Sequence, residues 1–159
     1  ANKGLVTKRG PKEVTITDHM LDIWRSSDES TIRTWEDRFV IEEGFFRVIP
    51  EAVSAFMAKN NLTPKDFQKV AYHSIDARRH AELARMMGFE AAQVQDPLYN
   101  EVGNTGVAFP LMLLVAALEE ANPGDRIMVA GYGDGCRPFE LTDDSVGASL
   151  LHIQSSVDA

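Results

Sequence analysis

The sequence predicts an α/β fold: a mixed sheet covered by helices on both faces, with one buried central helix. Three observations carry this. The apolar spacing gives strand, helix, strand, helix, helix, strand and strand in chain order. Residues 107–122 are apolar on nearly every face as far as Glu119, the mark of a helix with neighbours all round. Residues 126–131 (RIMVAG) form a continuous apolar run that suits a strand buried on both faces.

Each element has a local reason. Residues 1–12 hold Gly4, Gly10, Pro11 and the cations Lys3, Lys8, Arg9 and Lys12, and read as an exposed lead-in. Residues 13–18 (EVTITD) alternate apolar and polar with β-branched side chains and read as a strand. Residues 19–42 are irregular and polar, with tryptophans at 24 and 35; so long a loop is often functional. Phe45, Ile49, Ala52, Val53 and Phe56 follow helical spacing up to Asn60 and Asn61. Pro50 suits a first turn, which puts the helix start near Ile49. Thr63 caps a short turn with Pro64 at its first position. Residues 69–73 (KVAYH) are a short strand, and Asp76 caps a helix over 77–87 that Gly88 ends. Pro123 and Gly124 stop the apolar helix, the strand at 126–131 follows, and 139–141 gives a last strand. Residues 145–159 carry no pattern, and no linker divides the 159 residues into two domains.

Composition excludes some functions. The formal charge is −8, so no basic stripe exists for nucleic acid. The longest apolar stretch, 107–118, is shorter than the roughly 20 residues a bilayer needs. A single cysteine, Cys136, makes no internal disulfide, which with the absence of a signal-peptide pattern points to a reducing, cytoplasmic location. The chain starts at Ala1, as a processed or trimmed polypeptide would. No spacing of ligand residues calls for a metal.

Three local features bear on chemistry. His73 ends a strand just before a helix, the edge where α/β sheets hold catalytic groups, or is a histidine bonded within a loop. Gly103-Asn104-Thr105-Gly106 opens the apolar helix, where an amide side chain and free N–H groups suit a developing oxyanion; taken alone, the motif reads as a plain helix cap at Asn104 or Thr105. Residues 131–135 (GYGDG), with Gly133 at their centre, allow either a close backbone approach to a ligand or a tight turn between strands.

In this order the residues resemble the C-terminal half of thiolase-superfamily enzymes, most of all the hydroxymethylglutaryl-CoA synthase-like and ketoacyl synthase-like branch. The resemblance is carried by DIWRSSDE (22–29), LTPKDFQKVAYH (62–73), RMMGFE (85–90) and VGNTGVAFPLMLLVAALEEANPGDRIMVAGYGDG (102–135). It implies one half of a thiolase-like layered fold over roughly residues 13–141. It also implies an acyltransferase, condensing or thiolytic, in which His73 and Asn104 serve the thioester oxygen and the enolate. Coenzyme A thioester would be the substrate, with no permanently bound cofactor; Gly103, Gly133 and Arg78 are the candidate contacts to it, Arg78 taken for its closeness to His73 ahead of Arg79, Arg85 and the lead-in cations, or else an ordinary solvated charge on the helix surface.

The nucleophilic cysteine of such enzymes lies in the first half, which this chain lacks. The resemblance therefore implies a complementary N-terminal half as partner, a homo-oligomer of the assembled unit, and a zinc-ribbon/OB-fold protein as a further associate. Two positions depart from the family. Asp76 stands where many relatives carry asparagine, and either raises the pKa of His73 or caps the next helix. Cys136 follows the glycine run instead of preceding it, and reads as a small buried filler. Trp24 and Trp35 either shape an acyl tunnel or act as packing anchors. A non-catalytic thiolase-like assembly subunit is the alternative function; a free-standing domain binding another ligand fits the extended resemblance poorly.

Overall fold

The computed structural model describes residues 9–18, 20, 22–133 and 135–142. Lys3, Lys8 and the tail 145–159 lie outside these. The main sheet runs in the order β1 (Arg9–Glu13), β7 (Gly135–Thr142), β6 (Arg126–Gly133) and β5 (Lys69–Tyr72), with β2 (Ile16–Thr17) also paired to β7. β5 and β6 are parallel and the other pairings antiparallel, so the sheet is mixed as expected.

Side chains of β5 and β6 alternate between two covered faces. Val70, Tyr72, Met128, Ala130 and Tyr132 join a cluster with α2 (Phe46–Asn60) and α3 (Ala77–Met86). Ala71, Ile127 and Val129 face the other way, onto Phe109, Leu113 and Ala117 of α4 (Phe109–Glu120). This two-sided burial is why RIMVAG shows no alternation. α4 itself differs from the expectation. It buries one face only: Leu111 and Val115 are each 55% exposed, and Val107 just before the helix is 82% exposed. Nothing among the described residues covers that stripe.

Other boundaries move for identifiable reasons. β1 starts at Arg9, inside the expected lead-in, with a register shift between Arg9 and Glu13, and the strand expected at 13–18 is shared between the end of β1 and β2, both paired to β7. The expected irregular stretch holds a small hairpin, β3 (Ile23–Trp24) with β4 (Arg33–Thr34), then one turn, α1 (Asp37–Phe39), and a π-helical turn, Val40–Phe45. α2 begins at Phe46, not near Ile49. Pro50 is its fifth residue, where the missing N–H removes only the bond to the Phe46 carbonyl. The buried stripe Val48, Ile49, Ala52, Val53 and Phe56 has the expected spacing.

Capping follows the sequence closely. Asp66 Oδ2 accepts from the Thr63 amide at 2.7 Å and from its hydroxyl at 2.8 Å. Asp76 Oδ1 accepts from the Arg79 amide at 2.9 Å. Gly88, at φ 81°, closes α3 with its amide on the Arg85 carbonyl and the Phe89 amide on that of Ala84.

Candidate functional site

The β5 strand ends at Tyr72, and its ladder carries one residue further: the His73 amide donates to the Ala130 carbonyl at 3.1 Å. His73 is therefore fixed by the parallel pair at the carboxyl edge of the sheet. Its ring is 7% exposed and boxed by three aromatics. Phe45 meets it edge-on at 5.2 Å, Phe109 lies at 5.9 Å and Tyr132 at 6.1 Å. Nδ1 stands 3.4 Å from the Tyr132 carbonyl oxygen. A carbonyl only accepts, so Nδ1 carries the proton and, in the neutral ring, Nε2 presents a lone pair. Burial holds the pKa of His73 below its ordinary value, outweighing the Tyr132 carbonyl and Asp22, which act the other way. The ring is neutral at neutral pH.

Asn104 approaches from the loop before α4. Gly103 sits at φ 66° with open space around its missing Cβ, so its conformation and not crowding calls for glycine. The Asn104 side-chain oxygen accepts from the Gly106 amide at 2.8 Å. Only the oxygen can take that bond, which leaves the NH2 group a donor with no hydrogen-bond partner among the described residues. Cap and donor are thus compatible roles of one side chain, while Thr105 makes no side-chain cap. His73 and Asn104 line one cavity of about 400 Å³, together with Phe45, Asp22, Asp76 and Arg79.

The remaining expected contacts lie elsewhere. Arg78 is exposed on α3 and lines an adjoining hollow with Glu36, Arg38 and Glu82; its neighbour Arg79 reaches both spaces. Gly133 ends β6 directly opposite Gly135 at the tip of the β6–β7 hairpin and is absent from the cavity wall. The glycine run is therefore a tight turn between strands. Gly135, at φ 125°, is the position that demands it, because a Cβ there would collide with the Ile16 carbonyl of β2.

Asp76 is a cap and not a partner of the imidazole. Partial burial pushes its carboxyl up, but the Arg79 amide and guanidinium, the latter at 2.9 Å, hold it below the usual range. Cys136 is 3% exposed opposite Tyr132, and burial pushes its thiol up to about 12, so it is inert filler. Trp24 and Trp35 meet at 5.0 Å with their rings tilted 48°, and Phe39 lies edge-on to Trp35 at 5.8 Å. They act as packing anchors; Ile23 and Thr34 of the same hairpin line the cavity.

Sequence reasoning missed Asp22, Phe45 and the Tyr132 carbonyl as parts of the site, and took Arg78 ahead of Arg79. Arg79 follows the weighed Arg78 by one position, and helical geometry turns neighbours about 100° apart. Asp22 and the Tyr132 carbonyl come from a distant segment and from the main chain and leave no local pattern, and Phe45 shows only as a member of the apolar helical spacing. A second hollow, about 590 Å³ and lined by Ala81, His80, Gln95 and Arg85 among others, lies between α3 and the segment 89–97 and shares no residue with the first.

A strand-end histidine and a helix-entrance asparagine thus share one wall of a layered α/β half. Residues 57–137, just over half the chain, match the family model described as 3-oxoacyl-[acyl-carrier-protein (ACP)] synthase III C terminal, and the chain belongs to this family. It is 35% identical over 115 residues to hydroxymethylglutaryl-CoA synthase of Methanopyrus kandleri, covering 72% of this chain and 33% of that protein. To the enzyme of the same name from Caldivirga maquilingensis it is 33% identical, over 82% of this chain and 38% of the relative. The chain thus spans about a third of the length of these curated relatives.

Solved structures agree in fold. A crystal structure of HMG-CoA synthase complexed with CoA matches with TM-score 0.72 at 13% identity, over 86% of this chain and 39% of that one. The 3-oxoacyl-[acyl-carrier-protein] synthase III of Aquifex aeolicus VF5 matches with TM-score 0.68 at 18% identity, over 82% and 42%. The chain is the C-terminal half of a thiolase-superfamily fold.

Proposed function

We propose that this chain supplies the histidine–asparagine wall of a thiolase-like acyl-CoA condensing or thiolytic site, completed by a cysteine on a complementary N-terminal half. The observation that carries the proposal is the shared cavity, onto which His73 brings a buried neutral imidazole and Asn104 a free amide donor. In the first step the partner cysteine passes its proton to His73 Nε2. The thiolate adds to the thioester carbon, and the oxygen that gains charge is met by the Asn104 NH2. The carbonyl then re-forms as the carbon–sulfur bond to coenzyme A breaks, leaving an acyl-cysteine and coenzyme A thiolate, which takes up the proton. Lone-pair presentation at Nε2 makes His73 a proton acceptor in this step; the oxyanion donor is Asn104. Coenzyme A phosphates are assigned to Arg79, which lines the cavity, and to Arg78 beside it in the adjoining hollow.

The test combines this chain with the polypeptide encoded upstream of it and adds acetyl-CoA. The acyl mass is expected on the partner, with none on Cys136. Changing His73→Ala is expected to lower turnover of the pair by at least about 100-fold. Undiminished turnover would overturn the proposal and leave a non-catalytic assembly subunit.

A further inference from the structure

We infer that Tyr99, which lies outside the cavity, is a positioning residue that sets His73 and Asn104 against each other. The inference rests on the reading of those two residues given above. Tyr99 touches both arms of the site. Its ring stacks on Phe109 at 5.1 Å and 22°, and Phe109 in turn packs against the His73 ring at 5.9 Å. Its main-chain oxygen accepts from the Gly103 amide at 3.2 Å, the residue before Asn104. One side chain and one carbonyl of the same residue therefore brace the imidazole and the amide turn together.

Tyr99 has a firm base. The segment before it is tied to the sheet edge by a parallel bridge between Val70 and Val94 and by the Gln95 amide on the Val70 carbonyl at 3.1 Å. The Gln95 carbonyl also lies 3.2 Å from Nε2 of the buried His80 in α3. Leu98 then takes φ 53°, a left-handed conformation that a branched side chain adopts only when its surroundings enforce it. That strained residue turns the chain so that Leu98 and Tyr99 both pack on the cluster of Ala71, Phe109 and Leu113. Strain held next to a site and repaid by packing is what a positioning element requires.

The test reads the imidazole directly. Histidine ring spectra of the full chain are titrated with pH, the His73 signal being the one missing from His73→Gln. In Tyr99→Leu, and in the milder Tyr99→Met, the His73 midpoint is expected to rise by about half a pH unit as its packing loosens. Tyr99→Phe, which keeps the ring, is expected to leave it unchanged, and the His80 signal stays fixed throughout. An unmoved His73 in either aliphatic variant, or His73 and His80 moving together, would overturn the inference. Because the spectra need no turnover, a fully active His73→Ala pair would defeat the catalytic reading without touching the spectral result.

Discussion

His73 and Tyr132 meet through a ring nitrogen and a main-chain oxygen: Nδ1 donates to the Tyr132 carbonyl across 3.4 Å. Since the acceptor is backbone, no substitution at 132 abolishes it, and the tautomer of His73 is built into the fold. The two amide side chains that mimic a histidine then separate two roles. Asparagine reproduces the Nδ1 donor and lacks Nε2; glutamine reaches the Nε2 position without its basicity. Both His73→Asn and His73→Gln are expected to lose at least about 100-fold in turnover of the assembled pair. Glutamine restoring most of the rate would mean that hydrogen bonding, and not proton acceptance, is the contribution of residue 73.

Asn104 divides its side chain between the Gly106 amide and the cavity. Asn104→Asp keeps the oxygen acceptor, and with it the turn, but replaces the donor by a negative charge. The expected result is a chain of unchanged thermal stability whose pair turns over about 100- to 1,000-fold more slowly. Loss of stability comparable to a core substitution would show the turn, and not the oxyanion, to be what residue 104 serves.

His80 makes the fold sensitive to acid. It is 2% exposed, and burial lowers its pKa from 6.5 to about 4, the Gln95 carbonyl and Asp96 opposing. The unfolded chain takes up this proton below about pH 6.5 and the folded chain only near 4, so the unfolded state binds more protons in between. Stability is full above 6.5, falls across that window, and the loss reaches about 3 kcal/mol below it. His73, also depressed by burial, adds in the same direction. Denaturant melts of wild type and His80→Gln from pH 7 to 4 check this: the variant should show a distinctly flatter decline. Equal slopes would contradict it.

Sequence conveyed the scaffold more fully than the cavity, and the reason is range. Thr63 and Asp66, Asp76 and Arg79, and Gly88 solve problems within a few residues of themselves, so their caps could be read directly. The two-sided burial of β6 is likewise a property of one run of residues. His73 and Asn104 stood out because a strand end and a helix entrance are positions with known electrostatics. The wall between them did not: Asp22 comes from an irregular segment with no periodic signal, and Phe45 shows in the sequence only as a member of the apolar helical spacing, which says nothing of the ring it meets. Gly133 stayed ambiguous because a glycine run has the same composition whether it cradles a ligand or turns a hairpin; the pairing of Gly133 with Gly135 is what shows the turn.

The apolar stripe on α4 has the same ambiguity in a more useful form. An all-round apolar helix is expected to be buried all round, yet Leu111 and Val115 stand open on the face turned away from Leu113 and Ala117. Leaving two such side chains in water forgoes about 1.5–3 kcal/mol each relative to full burial. If the complementary half packs here, Leu111→Glu should leave the isolated chain folded with only a small change in melting temperature, because more than half of this side chain already faces water. Association with the N-terminal half, followed by sedimentation or calorimetry, should weaken by at least about 100-fold, through a charge forced into an apolar interface. Leu113→Ala on the opposite face provides the contrast, with about 2–5 kcal/mol lost from the chain itself. Association unaffected by Leu111→Glu would place the partner, and therefore the incoming cysteine, on some other surface.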